Sequence, residues 1–459
     1  MPLKRHFMSL AYAFLLAPSI LGLNAHGAPK PWQNLQWIDP SQVLFGYEAT
    51  FQDKQMSLND TSDTAYSGHK RDKINEMMRL LPQEIGLRPI SSQRNFGVDH
   101  KPFAQRNFNE EMVRFEMEPG AIEINMTPKP IFSLKTSWAP IFRLARKVQL
   151  KNSVFPLGVG GGGGHIHVGG ESKEVNPFLL NANMLRNVLV YTHHHPSLLF
   201  GFSEGFDVGP QSSARTLHDP ALEIGFYSAI HHFDEWYIEA SPEERRTEGL
   251  HRLGGALLKY APLFMEHNVF INFEHASRIV LPYASNHKAT VEWRNIRPLK
   301  NPAQVEAMAG LILRLMDRGS NPYLVVPLTG LAKDQFMAFM SPSYVEADWE
   351  LVKSELGIDD PILNQMIHDY TRNPDLNPVS YGGGVVRGAY SDHARMGKFL
   401  EFVKPLAKGR KSNTVMFQGR SYPAAQFKKD GQDYLVAIVR KPVFDCSDAL
   451  AGADFEILP

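Results

Sequence analysis

Four short segments of this chain alternate acid, histidine or arginine side chains with mostly apolar ones, which is the period of a strand. They are Phe45-Gly46-Tyr47-Glu48, the stretch from Phe115 to Glu123, Gly164-His165-Ile166-His167-Val168, and Val291-Glu292-Trp293-Arg294. Successive strand side chains point to opposite faces. Glu116 and Glu118 therefore share a face, as do His165 and His167, and Glu292 and Arg294. The apolar residues between them suit a buried opposite face. Carboxylates lined up on a sheet need counterions, and a divalent metal is the economical one. The pattern predicts a metal–nucleotide site on a curved antiparallel sheet.

Residues 1–27 read as an export signal. Lys4, Arg5 and His6 form a basic start, an apolar run follows from Met8 to Leu23, and Ala25-His26-Gly27 supplies small residues where a signal peptidase cuts. The expectation is an exported chain, periplasmic or secreted, cleaved near Gly27, with no stable membrane association afterwards. No later segment is apolar enough to span a bilayer. Cys446 is the single cysteine, so no intrachain disulfide forms and the core alone must hold the fold. At 459 residues that is feasible. Lys plus Arg and Asp plus Glu both number 48, and no basic stripe interleaves with aromatics, which argues against a nucleic-acid partner.

Helical spacing of Ile74, Met77, Met78 and Leu81 predicts a helix over 70–81. Val113 to Met126 reads as two strands turning at Pro119-Gly120, which brings Glu123 back beside Glu116 and Glu118. Further helices are expected over 137–148, 175–192, 243–264 and 303–318, the last two opened by Ser241-Pro242 and Asn301-Pro302. Helices come between and after strands without a regular βαβ repeat, so the fold class is α+β, with helices on the outer face of the curved sheet. A hairpin is expected where 422–427 and 434–439 flank Lys429-Asp430-Gly431. Gly158 to Gly164 holds six glycines in seven residues. Such a run suits either a flexible loop or a backbone that must come close to something.

Two histidines at i and i+2 of a strand first suggest zinc. Their place between two acid-bearing segments suggests more. The order Gly46-Tyr47-Glu48-Ala49-Thr50, then Glu116, Glu118 and Glu123, then Gly160 to His167, then Glu292-Trp293-Arg294 resembles the glutamine synthetase and glutamate–cysteine ligase superfamily of carboxylate–amine ligases. His195-Pro196-Ser197, Gly201, Gly205 and Ser213-Ala214-Arg215 resemble the segment that follows the His-x-His strand in the glutamate–cysteine ligase branch. The resemblance runs from about Phe45 to Arg297. It implies two or three magnesium or manganese ions, ATP, and a peptide or small-molecule substrate with a carboxylate. Glu48, His165 and Glu292 would then hold one ion, and Glu116 or Glu118 with Glu123 another. Arg294 would steady phosphoryl oxygens and Arg215 a phosphate or carboxylate, with Gly161 and Gly163 at the nucleotide. The domain expectation is a glutamine-synthetase-like catalytic unit over 28–410 and a small β-hairpin extension over 411–459.

One departure stands out. Where the family's first strand has a second glutamate, this chain has Thr50, a neutral and weaker ligand. A catalytically eroded, exported metal- or peptide-binding pseudoenzyme of the same fold is therefore a second reading. A zinc hydrolase using His165 and His167 is a third, without the His-Glu-x-x-His helix of one such class. His193-His194-His195 reads either as a metal tract or, at a helix end, as histidines that cap carbonyls. His231-His232 reads as surface or core, and 381–387 as a plain turn or a second phosphate-contacting loop. An ATP site on an exported chain is a tension that the sequence poses and leaves open.

Overall fold

The computed structural model describes residues 30–53, 55–56, 68–96, 102–118, 121–152, 164–171, 175–203, 220–262, 271–272, 290–328, 336–371, 379–381, 384–390, 398–417, 419–441 and 455–457. β1 (Leu44–Phe51) puts Phe45, Tyr47, Ala49 and Phe51 into the core and turns Glu48 and Thr50 to the other face. Around it lie β2 (Ser91–Asn95), β3 (Phe103–Asn107), β4 (Met112–Glu118), β5 (Ala121–Met126), β6 (Lys129–Pro130), β7 (His165–Gly169), β8 (Ile271–Asn272) and β9 (Val291–Trp293). They form one antiparallel sheet in the order β2-β3-β4-β5-β1-β7-β9-β8, with β6 paired to β1 off that path. All four patterned segments are strands of this sheet, and Arg294 lies just past the end of β9.

The apolar face is covered by helices. Tyr47 meets Trp138 edge-on at 4.9 Å and Phe51 meets Phe142 at 5.6 Å, which seats the helix Ile131–Lys147 on β1. The helix Gly68–Ile85 buries Ile74, Met77, Met78 and Leu81, the stripe that its spacing predicts. Ser241 and Glu244 form a reciprocal capping box for the helix Pro242–Tyr260, and the Asn301 side chain caps Pro302–Ser320. Caps of this kind contribute roughly 1 kcal/mol each.

Three helix expectations need correction, the first being that the helix read from 137 begins at Ile131. The helix read over 175–192 is two, Pro177–Leu180 and Ala182–His194. Asn181 breaks it, because its side chain accepts the Met184 N–H and so starts a new helix. The helix read to Phe264 stops at Tyr260, since Pro262 drives the residue before it out of the α region.

The C-terminal part is larger than a hairpin over 411–459. A second antiparallel sheet begins at Val379 and takes in β10 (Val379–Tyr381), β11 (Gly384–Tyr390), β12 (Lys398–Pro405), β13 (Thr414–Phe417), β14 (Arg420–Lys429), β15 (Gln432–Lys441) and β16 (Phe455–Ile457). The expected hairpin is β14–β15. It turns at Asp430 and Gly431, with φ of 50° and 78°, the left-handed pair that a tight hairpin requires. Ala425 and Val436 of this sheet pack on Ala338 and Phe339. The architecture is α+β. No described helix is long and apolar enough to cross a membrane.

Candidate metal centre

Strand register decides which side chains meet. Glu48 stands opposite His165, and Gly46 opposite His167. His167 stands opposite Glu292, and Glu292 opposite Asn272. On the other side of β1, Thr50 stands opposite Glu123, which stands opposite Glu116. Directly opposed residues of an antiparallel ladder share a face, so all of these project from the side away from the helices.

The face carries two groups of three donors. Glu48, His167 and Glu292 each place one ligand atom within 4.8 Å of the other two. Glu116, Glu118 and Glu123 do the same. In the first group, His167 Nε2 lies 2.9 Å from Glu48 Oε1 and 3.9 Å from Glu292 Oε1. His165 stands against the same carboxylates, its Nδ1 at 3.3 Å from Glu48 Oε2 and 3.1 Å from Glu292 Oε1. Its buried Nε2 has no hydrogen-bond partner among the described residues. Arg294 Nη1 donates to Glu292 Oε1 at 2.6 Å, and Asn272 Nδ2 donates to Glu292 Oε2 at 3.2 Å. In the second group, Arg114 pairs with Glu116 at 2.5 Å, and Asn125 Nδ2 donates to Glu123 Oε1 at 2.8 Å.

Burial and charge act against each other here. Burial by itself would raise the Glu292 carboxyl, but His165, His167 and Arg294 hold it down at about 2. Glu48 is held well below the usual carboxylate range against the same burial, chiefly by the charge of His167 beside it. Burial would lower His165, yet its bonds to Glu292 and Glu48 raise it to about 9. His167 is raised for the same reason, with Glu48 as its main partner. The cluster therefore favours protonated histidines beside ionised carboxylates.

The donor sets fit divalent ions. Three carboxylates make a hard oxygen site of the kind magnesium and manganese take, and two carboxylates with an imidazole suit manganese as well. Glu48, Glu116, Glu118, Glu123, His165, Glu292 and Arg294 all converge on this face. The three-donor group contains His167, which the sequence reading paired with His165 but did not carry into the ligand set. Gly161, Gly163, Arg215 and residues 1–27 lie outside the described residues. Gly164, the last of the glycine run, does approach closely: a Cβ there would meet the Arg297 carbonyl at 2.6 Å and the Tyr47 ring at 3.2 Å. His193 and His194 close a helix and His195 is its C-cap, with Nδ1 at 2.9 Å from Asp348. His231 and His232 are exposed, beside Glu235. Asn272 carried no sequence signal, because its strand is only two residues long.

Residues 104–223 match the model of a family described as "Putative amidoligase enzyme (DUF2126)". This stretch includes Glu116, Glu118, Glu123, His165 and His167, and leaves out Glu48 and Glu292. The match covers about a quarter of the chain, and over the acid pair and the histidine strand its description agrees with the amidoligase-like resemblance. Among solved structures the chain is similar to "Apo GmaS without ligand", at 12% identity over 72% of this chain and 68% of that one, with a TM-score of 0.34. It is also similar to "GmaS/ADP complex-Conformation 1", at 12% identity over 71% and 68%, with a TM-score of 0.35. No curated protein matches the chain significantly.

Proposed function

We propose that this chain is an ATP- and divalent-metal-dependent carboxylate–amine ligase that forms an amide on a peptide or glutamyl carboxylate. The observation that carries the reading is the pair of three-donor groups on one sheet face, one on β1, β7 and β9 and the other on β4 and β5. A single metal site would need only one of them. In this reading Glu48, His167 and Glu292 hold one ion, with His165 against the same two carboxylates, and Glu116, Glu118 and Glu123 hold a second. Bound ions of this kind neutralise and align phosphate oxygens.

The chain's own residues then do the positioning. Arg294 fixes one Glu292 oxygen and Asn272 the other, so the carboxylate cannot rotate. Arg294, itself buried, presents a planar fork suited to phosphoryl oxygens. The reaction class transfers the γ-phosphoryl of ATP to the substrate carboxylate with loss of ADP. The amine nitrogen then bonds to the acyl carbon, phosphate leaves, and the nitrogen loses its extra proton. Such chemistry depends on alignment and charge stabilisation more than on a protein nucleophile. Export, with cleavage near Gly27, is part of the proposal; N-terminal sequencing of protein from the producing cell checks it.

Thr50 favours the second reading, a pseudoenzyme that keeps the fold and loses turnover. Calorimetry separates the two. A ligase binds ATP with magnesium or manganese and releases phosphate only when carboxylate and amine are both present. A protein that binds neither ion nor nucleotide overturns the ligase reading. Tight zinc binding without nucleotide, lost in His165→Ala, moves a zinc hydrolase ahead.

A further inference from the structure

Lys70 occupies an unusual place. It lies in the first turn of the helix Gly68–Ile85, on the same inward stripe as Ile74, Met77, Met78 and Leu81. It is 1% exposed. Its Nζ donates to the Glu118 carbonyl oxygen at 2.6 Å. Glu118 is the last residue of β4 and pairs with Ala121, the first of β5. The ammonium therefore comes from the helix side of the sheet and ends on the strand terminus that carries the three-carboxylate group. Taking an ammonium out of water is costly, and an apolar residue would fill an inward helical position without that cost.

The return for that cost is positional. Glu118 and Glu123 come from strands on either side of one hairpin, so a shift at its end separates their carboxylates. A donor fixed on the Glu118 carbonyl holds that end in place.

We propose that Lys70 is a positioning residue for the Glu116–Glu118–Glu123 ion, an inference that rests on the ligase reading. It does not ligate the ion. It fixes the hairpin end from behind, which keeps the carboxylates of its two strands in place for the ion.

Manganese titration followed by electron paramagnetic resonance tests this on the full chain without reference to turnover. Wild type binds two ions. Lys70→Met weakens one of them at least tenfold and leaves the other within twofold. Lys70→Gln, whose amide still donates to a carbonyl but carries no charge, falls between, and carries the same test where the Met variant does not fold. Glu123→Gln weakens the same ion, and the double variant is no weaker than the worse single one. Unchanged binding of both ions in the Lys70 variants overturns the proposal. So does equal weakening of both, which marks a purely structural lysine. A wild type that binds no manganese instead overturns the ligase reading beneath it, so the two failures are distinguishable.

Discussion

Thr50 stands directly across the β1–β5 ladder from Glu123. Glu123 in turn faces Glu116 across β4–β5. The position where the resembled family has its second glutamate thus borders the three-carboxylate group, which keeps three donors without it. Thr50→Glu should place a fourth carboxylate against Glu123. Like charges directly opposed on a sheet cost about 0.5–1 kcal/mol, so the metal-free variant should unfold at lower urea. Manganese should reverse the order, because the added acid becomes a ligand. Unfolding with and without the ion checks both halves; a variant less stable in both conditions would show that Thr50 is not at the ion.

The histidine–carboxylate cluster gives the metal-free protein a defined pH response. His165 is raised from 6.5 to about 9 on folding. A raised pKa contributes stability that is fully present below about pH 6.5 and is lost as pH rises through about 9. Glu292 is depressed from 4.5 to about 2, so its contribution is present above about pH 4.5 and is lost as pH falls through 2. The urea midpoint of the metal-free protein should therefore decline between pH 7 and 9. Saturating manganese should flatten that decline, because the cation replaces the proton between the carboxylates. A metal-free profile that is level from pH 6 to 9 would contradict this account.

Gly164 is the point where the glycine run meets the sheet. Its backbone N–H donates to the Ile296 carbonyl at 2.9 Å, and a Cβ would stand 2.6 Å from the Arg297 carbonyl. Backbone cannot yield as a side-chain tip can. Gly164→Ala should cost about 1–3 kcal/mol by overpacking, read from chemical denaturation. It should also weaken manganese binding, since His165 is the next residue. An alanine variant with wild-type stability would mean that the strand shifts freely at this point.

The sheet was legible where one face had to be apolar. Phe45, Tyr47, Phe115, Ile122, Ile166 and Trp293 alternate with the chemistry-bearing residues, and period two admits only one arrangement of faces. Helix starts were legible where a cap preceded proline, as at Ser241-Pro242 and Asn301-Pro302. β2 was missed because Ser91-Ser92-Gln93-Arg94-Asn95 is polar and mostly exposed, so it has no buried face to betray it. Asn181 reads equally well as helix interior or cap, and only its hydrogen bond to Met184 decides. That His167 joins Glu48 and Glu292, and that Asn272 meets Glu292, depend on long-range register, which no local pattern contains. Lys70 reads from the sequence as one more polar residue at the start of a helix.

Glu292 offers the most discriminating pair of substitutions. It is 1% exposed and receives Arg294, His165 and Asn272 on its two oxygens. Glu292→Ala removes the carboxylate and with it one anionic partner of the buried Arg294 guanidinium. Breaking a buried pair from one side costs about 3–5 kcal/mol, so a loss of binding in this variant mixes metal loss with local unfolding. Glu292→Gln keeps the shape and one acceptor oxygen for Arg294 while removing the charge. Its stability in the metal-free state should fall by less than half as much. Its manganese affinity should still drop at least a hundredfold, because an amide oxygen is a poor substitute for a carboxylate toward a hard cation. Calorimetry should then show ATP binding lost along with the ion. If the glutamine variant keeps wild-type affinity for manganese, Glu292 is holding Arg294 and the histidines in place and no ion, and the first donor group ceases to be a metal site.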